Sequence, residues 1–332
     1  MNLSAESNAG TRERIVGIIG GGPAGLSAAL WLRNLGCASW LVESSDRLGG
    51  MQNLDFLGND WVLGQRDMTG PELAARFTEH VAAGAAQVLL DTRVTRITHD
   101  DDMFRVTLNP ERQVAAHALL IATGTRYRST EVMSDVQGAT TMTANELVYG
   151  PWAFTDLAAL AGRRVLVIGG GDNAFENTRL LSETAASVDL VMRAASRAQA
   201  ALQNEVAARS NCHVHAHARV LALMRTPAGI DVALSNGQRL IVDRVHVLAG
   251  YAPNTDVLTE MFGVLASNFA FDASGYLRTD DAGRTGVAGV YAAGDVCNPE
   301  FPSVVAALAQ GARAAKAIEH DLRQPLHSAA AR

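Results

Sequence analysis

Residues 14–25 read Arg-Ile-Val-Gly-Ile-Ile-Gly-Gly-Gly-Pro-Ala-Gly. Residues 14–19 are a short, mostly β-branched apolar run that ends on glycine, the pattern of a buried strand. A helix-like stretch follows from Leu26 to Leu35. A second strand then runs from Ser39 to Val42 and closes on Glu43. Together they make one βαβ unit. In Gly20-x-Gly22-x-x-Gly25 the first glycine permits a tight turn. The second lets backbone approach a pyrophosphate, and the third lets helix and strand pack closely. The phosphates then face the unpaired N–H groups at the helix N-terminus. Glu43 lies 18 positions beyond Gly25, where a carboxylate takes ribose hydroxyls. The glycines alone are a weak signal, but strand, helix and terminal acid around them make a dinucleotide site.

The same unit occurs a second time. Arg163–Ile168 reads as a buried strand, runs into Gly169-Gly170-Gly171-Asp172-Asn173-Ala174, and continues as a helix from Phe175 to Leu181. The fingerprint allows alanine at the third position. The following strand, Val188–Met192, ends on Arg193 instead of an acid, and Arg197 follows four residues later. Two guanidiniums without a carboxylate favour a 2′-phosphate, hence NADP over NAD. The alternative is that both arginines are solvated surface charges. Elsewhere, residues 72–83 have helical spacing, and a helix is expected near Arg197–Ala208. Arg93–Thr98, Met103–Leu108 and Ala118–Ile121 suggest a β-meander. Short strands end at Arg244–Leu248. The chain closes with a strand over Gly289–Ala292 and an Ala-rich helix from Ser303 to Leu322.

Composition narrows the function classes. The chain has 332 residues, 48% hydrophobic and 19% charged, enough for two domains with large cores. A formal charge of −6 argues against a generic nucleic-acid binder. No apolar run approaches the roughly 18 residues of a membrane span, and Met1–Arg14 lacks the apolar core of a signal peptide. The three cysteines, Cys37, Cys212 and Cys297, are far apart in sequence and form no CxxC. That excludes a disulfide scaffold or zinc finger and fits a reducing cytoplasm. His213, His215 and His217 alternate along one strand face, where the outer pair is too distant to share a metal. They are expected at the surface, and no metal site is expected.

These motifs together resemble the low-molecular-weight thioredoxin reductase family over nearly the whole chain. Gly20–Gly25 with Glu43 resembles the family's FAD site. Gly49-Gly50, Trp61 and Thr69-Gly70-Pro71 stand at its spacing without gaps. Ile121-Ala122-Thr123-Gly124 resembles its crossover into the second domain, and Gly169–Glu176 its NADPH segment. Gly250–Thr255 resembles its return loop, with Tyr251 where the family usually has His. Ala293-Gly294-Asp295-Val296 resembles the motif whose Asp touches the FAD ribityl chain.

The resemblance implies an α/β fold with two Rossmann-like dinucleotide-binding domains, each carrying a small β-meander. Residues 1–124 plus 250–332 would form a discontinuous FAD domain, and 125–249 an inserted NAD(P)H domain. It implies a homodimer, with FAD and NADPH as cofactors and NADH as the alternative donor. FAD would be held by Gly20, Gly22, Pro23, Ala24, Gly25, Glu43, Gly50, Asp60, Thr123, Gly124, Gly294 and Asp295. The N-terminus of the last helix, Ser303 and Val304, would face the charge that gathers at flavin N1 and C2=O. NADP would be held by Gly169, Gly171, Asp172, Asn173, Ala174, Glu176, Arg193 and Arg197.

One departure decides the chemistry. The family's redox-active CxxC falls, counting back from Gly169, on Trp152 and Thr155. Asp156 stands where the family keeps an acid beside its second cysteine. The related bacillithiol-disulfide reductases carry a cysteine inside the first glycine loop, where this chain has Ala24. Trp152 either covers the flavin face that the disulfide would occupy or packs in the hinge; Trp152 and Asp156 are the candidate catalytic residues. Arg126, Arg128, Arg163 and Arg164 are either a docking patch for an acidic carrier or solvated charges. The leading expectation is an FAD-dependent NAD(P)H oxidoreductase that passes electrons directly to an acceptor: a ferredoxin- or flavodoxin-type carrier, a quinone or another small molecule. Three alternatives stand beside it. They are a disulfide reductase using Cys297, a small-molecule oxidase, and a non-catalytic redox sensor.

Overall fold

The computed structural model describes residues 14–323 apart from 57, 60, 83, 85, 101, 110, 111 and 151–156. It divides into two compact units. One comprises the chain up to Thr125 together with Pro253 onward, and the other Arg126–Ala252.

The first unit is built on a parallel sheet whose spatial order is Val290–Ala292, Ala118–Ile121, Ile15–Ile19, Ala38–Val42, Gln87–Leu89. Ile15 pairs with Ala38 and Ile19 with Val42; on the other side Val16 pairs with Ala118. Strands covered on both faces read as continuous apolar runs, and the two faces feed two cores. Val16, Ile18, Leu120 and Leu26 fill one with Ile318. Ile19, Leu119, Ile121, Phe104 and Phe262 fill the other. The helix Pro23–Asn34 packs closely on the terminal helix Val304–Arg323 because both carry small residues at the contact. A methyl on Gly311 would sit 2.1 Å from the Ala24 carbonyl oxygen, and Ser27 Oγ donates to Leu308 O at 2.7 Å.

The second unit repeats the plan. Its parallel sheet has the order Leu147–Tyr149, Arg244–Val247, Arg164–Ile168, Ser187–Met192, Cys212–Ala216. The helix Asp172–Leu181 covers one face through Phe175 and Leu181. An antiparallel meander, Val220–Thr226, Gly229–Leu234 and Arg239–Val242, covers the other through Leu223 and Val232.

Several sequence expectations shift. The first unit's meander is Arg93–Asp100, Met103–Asn109 and Arg112–Ala116. Ala118–Ile121 belongs instead to the parallel sheet, a pairing across more than a hundred residues that local alternation does not reveal. Both fingerprint helices begin earlier than expected, at Pro23 and Asp172. The third fingerprint position, Gly25 or Ala174, already lies in the first turn, and in the first helix Pro23 is pre-organised for its place there. The helix expected near Arg197 starts at Ala200; Arg197 is held in a loop by its N–H, which donates to Gly170 O at 2.8 Å.

Two surface expectations also need correction. His217 leaves the strand with a φ of 56°. His215 is half-buried, with Nε2 2.7 Å from Asp189 Oδ1. Arg164 is no solvated charge, since its guanidinium grips both oxygens of Asp243. No helix among the described residues is long and apolar enough to cross a membrane.

Candidate functional site

In the first unit the residues expected to hold FAD converge on the glycine loop. Gly20 has a φ of 112°, and a methyl there would lie 2.2 Å from the Ala122 carbonyl oxygen; at Gly25 it would meet the Gly20 oxygen at 2.1 Å. Only glycine satisfies both positions. The Gly49 N–H donates to Gly21 O at 2.8 Å, and the Gly50 backbone lies against Gly22. Glu43 turns back onto the loop: its Oε2 accepts from Gly21 N–H at 2.8 Å and its Oε1 from Ser45 N–H at 2.9 Å.

Thr123 and Gly124 are tied to Asn254, whose Nδ2 donates to Thr123 O at 2.7 Å and whose N–H donates to Gly124 O at 2.9 Å. Gly294 sits between Ala24 and Ala307, the first turns of the two packed helices, and its N–H donates to Gln310 Oε1 at 2.8 Å. Asn254 was legible only as part of a loop motif, and Gln310 carried no sequence signal. Asp60 lies outside the described residues, as do Trp152 and Asp156.

The N-terminus of Val304–Arg323 is shaped for an anion. Ser303 Oγ accepts from Ala306 N–H at 3.2 Å, which satisfies the third helical N–H. The N–H groups of Val304 and Val305, at the first two helical positions, have no intrahelical acceptor. Among the described residues, Asp295 points a buried Oδ1 at no hydrogen-bond partner, and Gln52 Oε1 is in the same condition. Burial pushes the Asp295 carboxyl up to about 6. A buried acceptor of this kind needs a donor, and a hydroxyl-bearing ligand supplies one. These residues fit a flavin nucleotide with its ribityl and ribose hydroxyls.

In the second unit, Gly169 packs against Leu248 while Gly171 has open space where its side chain would stand. Ala174 is fully buried. The Asp172 carboxylate, at the start of the helix, accepts from Gln199 N–H at 2.7 Å and from Gln199 Nε2 at 3.1 Å, stapling the next loop to the fingerprint. Arg193 and Arg197 are both exposed on that loop. Glu176 is half-buried on the helix.

A profile of the pyridine nucleotide-disulphide oxidoreductase family matches residues 14–311. The chain belongs to that family. It is an oxidoreductase, and membership implies FAD and a pyridine nucleotide. Among curated relatives, an alkyl hydroperoxide reductase of Pseudomonas putida is 28% identical over 96% of this chain and 62% of its own length. An NADH dehydrogenase of Ferdinandcohnia aciditolerans is 28% identical over 95% of this chain and 59% of its own. The chain thus spans about three-fifths of the curated relatives it matches. Thioredoxin reductases of T. acidophilum and Lactococcus lactis superpose with TM-scores of 0.81 and 0.80. They are 26% and 25% identical, covering 94% and 93% of this chain and 100% and 98% of theirs.

The family name raises the question of a disulfide. Cys37 is buried in the core on one face of the first unit's sheet, and Cys297 packs against the core on the other. Cys212 lies in the second unit. Burial raises all three thiols, Cys297 to about 12 with the Asp295 charge adding to the effect. Cys297 is further occupied as a donor to Gly294 O, 3.4 Å away. A redox thiol works as a thiolate, and none of these three is poised to form one. No group of His, Cys, Asp or Glu among the described residues is arranged to hold a metal ion.

Proposed function

We propose that this chain takes a hydride from NADPH onto bound FAD and passes electrons directly to an acceptor, without a disulfide relay in these 332 residues. The state of the three thiols carries this reading: all are raised by burial, none has a partner cysteine, and Trp152 and Thr155 stand where the family resemblance sets the redox pair. The acceptor is a small molecule or a redox carrier protein.

Bound FAD supplies hydride acceptance at N5 and collects negative charge at N1 and C2=O. The chain's part is to bind and orient. Glu43 keeps lone pairs for ribose hydroxyls beyond those given to Gly21 and Ser45. Asp295 holds a ribityl hydroxyl. The Val304 and Val305 N–H groups face the developing charge with no reorganisation. Arg193 and Arg197 take the 2′-phosphate of NADPH, and the Gly171 backbone admits the pyrophosphate.

Anaerobic titration of the yellow protein with NADPH and then NADH, following the visible flavin band, tests the first half. Stoichiometric bleaching by NADPH at lower concentration than by NADH is expected. No bleaching by either would move the oxidase or sensor reading ahead. NADPH-dependent reduction of thioredoxin by the pure protein would overturn direct transfer.

A further inference from the structure

The second glycine loop is wired to both segments through which the chain passes between its two units. Asn173, at the second position of the helix Asp172–Leu181, donates through Nδ2 to the Tyr251 hydroxyl at 2.5 Å. That hydroxyl donates in turn to the Tyr127 hydroxyl at 3.3 Å. The two rings lie 4.7 Å apart, tilted by 39°. Tyr127 follows the first crossing point by two residues, and Tyr251 precedes the second by two. Their backbones are joined as well, since Arg128 N–H donates to Gly250 O at 3.0 Å. All of these residues belong to the second unit.

Asn173 stands in the first turn of a helix whose N-terminus the proposed function gives to the NADPH pyrophosphate. An amide donor there faces two acceptors, a neutral phenol oxygen and a phosphate oxygen. Hydrogen bonds to ionised acceptors are roughly twice as strong as neutral ones. When phosphate arrives, the amide turns to it and leaves the phenol. The Tyr251 oxygen then accepts from Tyr127 in place of Asn173, reversing the direction of the bond between the two rings.

We infer that Asn173, Tyr251 and Tyr127 form a relay that reports occupation of the second glycine loop to both crossing segments. Tyr251 is in this sense a positioning residue. The inference rests on the proposed nucleotide site and adds to it a route for its signal. A histidine at position 251 could not reproduce the phenol-to-phenol bond, so the relay is a property of this chain's own sequence.

The relay makes a prediction opposite to that of a simple supporting role. In the wild type, nucleotide binding breaks the Asn173–Tyr251 bond. In Tyr251→Phe that bond is already gone, so NADP+ should bind about threefold to tenfold more tightly, the value of one neutral hydrogen bond. Calorimetric titration of the flavin-loaded protein with NADP+ reads this without turnover. Hydrogen exchange at residues 125–128 and 250–253 should change on NADP+ addition in the wild type and not in Tyr251→Phe. Tyr127→Phe, which keeps the Asn173–Tyr251 bond, should bind NADP+ as the wild type does while losing the exchange response at 125–128. Weaker or unchanged binding by a folded, flavin-loaded Tyr251→Phe would overturn the relay and leave the nucleotide site standing. Failure of the wild type to bind NADP+ would overturn both.

Discussion

The two glycine loops share a fingerprint and differ in how tightly they are closed. In the first, methyl groups at Gly20 and Gly25 would collide with backbone oxygens at 2.2 and 2.1 Å, and one at Gly21 would meet the Leu48 side chain at 2.5 Å. The acid that ends the second strand folds back to hold the loop. In the second, only Gly169 is crowded by backbone; a methyl at Gly170 would meet the Met192 side chain at 3.3 Å, and Gly171 has open space. The strand that follows ends on an arginine instead of an acid, and the two arginines stand in solvent. A tightly seated loop with a buried, unanswered carboxylate suits a resident group that stays. An open loop with exposed cations suits a nucleotide that must enter and leave in each cycle.

The largest expected effect comes from placing a methyl group in each loop. Gly20→Ala or Gly25→Ala should lose about 3 kcal/mol to collision and strain, a drop of roughly 10 °C in Tm, and should purify nearly free of flavin. Gly171→Ala should stay within about 0.5 kcal/mol of the wild type while its Kd for NADPH rises about tenfold as the methyl meets the pyrophosphate. Thermal melts with flavin content and nucleotide titration check both. Equal damage at the two loops would erase the distinction.

Asp295→Asn sharpens the comparison from the first loop's side. A carboxyl whose folded pKa is raised to about 6 binds its proton more tightly folded than unfolded. In flavin-stripped protein its contribution is therefore full below about pH 4 and is lost as pH rises through about 6. The stripped Asn variant should be more stable than stripped wild type above about pH 6 by on the order of 2 kcal/mol. The two should converge near pH ~4, and FAD should bind the variant about tenfold more weakly. Denaturant melts from about pH 4 to about pH 8 measure the stability; an unchanged difference at all pH values would remove the linkage.

On the second loop's side, Arg197→Ala should reduce the preference for NADPH over NADH in kcat/KM by about tenfold, with stability unchanged. A ratio that does not move would return both arginines to the role of surface charge. The smallest effect is expected at Cys297→Ser, where kcat should stay within about twofold because its thiol is far from ionising. A large loss there would revive a thiol route.

Both loops were legible in the sequence because the glycine fingerprint is local: a turn, an approach of backbone and a close helix, all within six residues. Glu43 was legible because a strand end is a short count away. Histidine spacing misled, since alternation places side chains on one face without telling what faces them, and Asp189 on the neighbouring strand draws His215 inward. Ala118–Ile121 misled for a related reason. Its apolar run was visible, but its partners Val16–Ile19 lie a hundred residues away.

The sequence by itself determined that there are two dinucleotide units, which residues turn the chain at each, and that no cysteine pair accompanies them. Those are properties of spacing and residue type. Only the tertiary structure decided that Asp295 carries a buried oxygen without a donor, that Ser303 caps one helical N–H and leaves two for a ligand, and that Tyr251 joins Asn173 to Tyr127. Each depends on where distant segments of the chain meet, and a hydrogen bond exists or fails over a few tenths of an ångström that no spacing rule reaches.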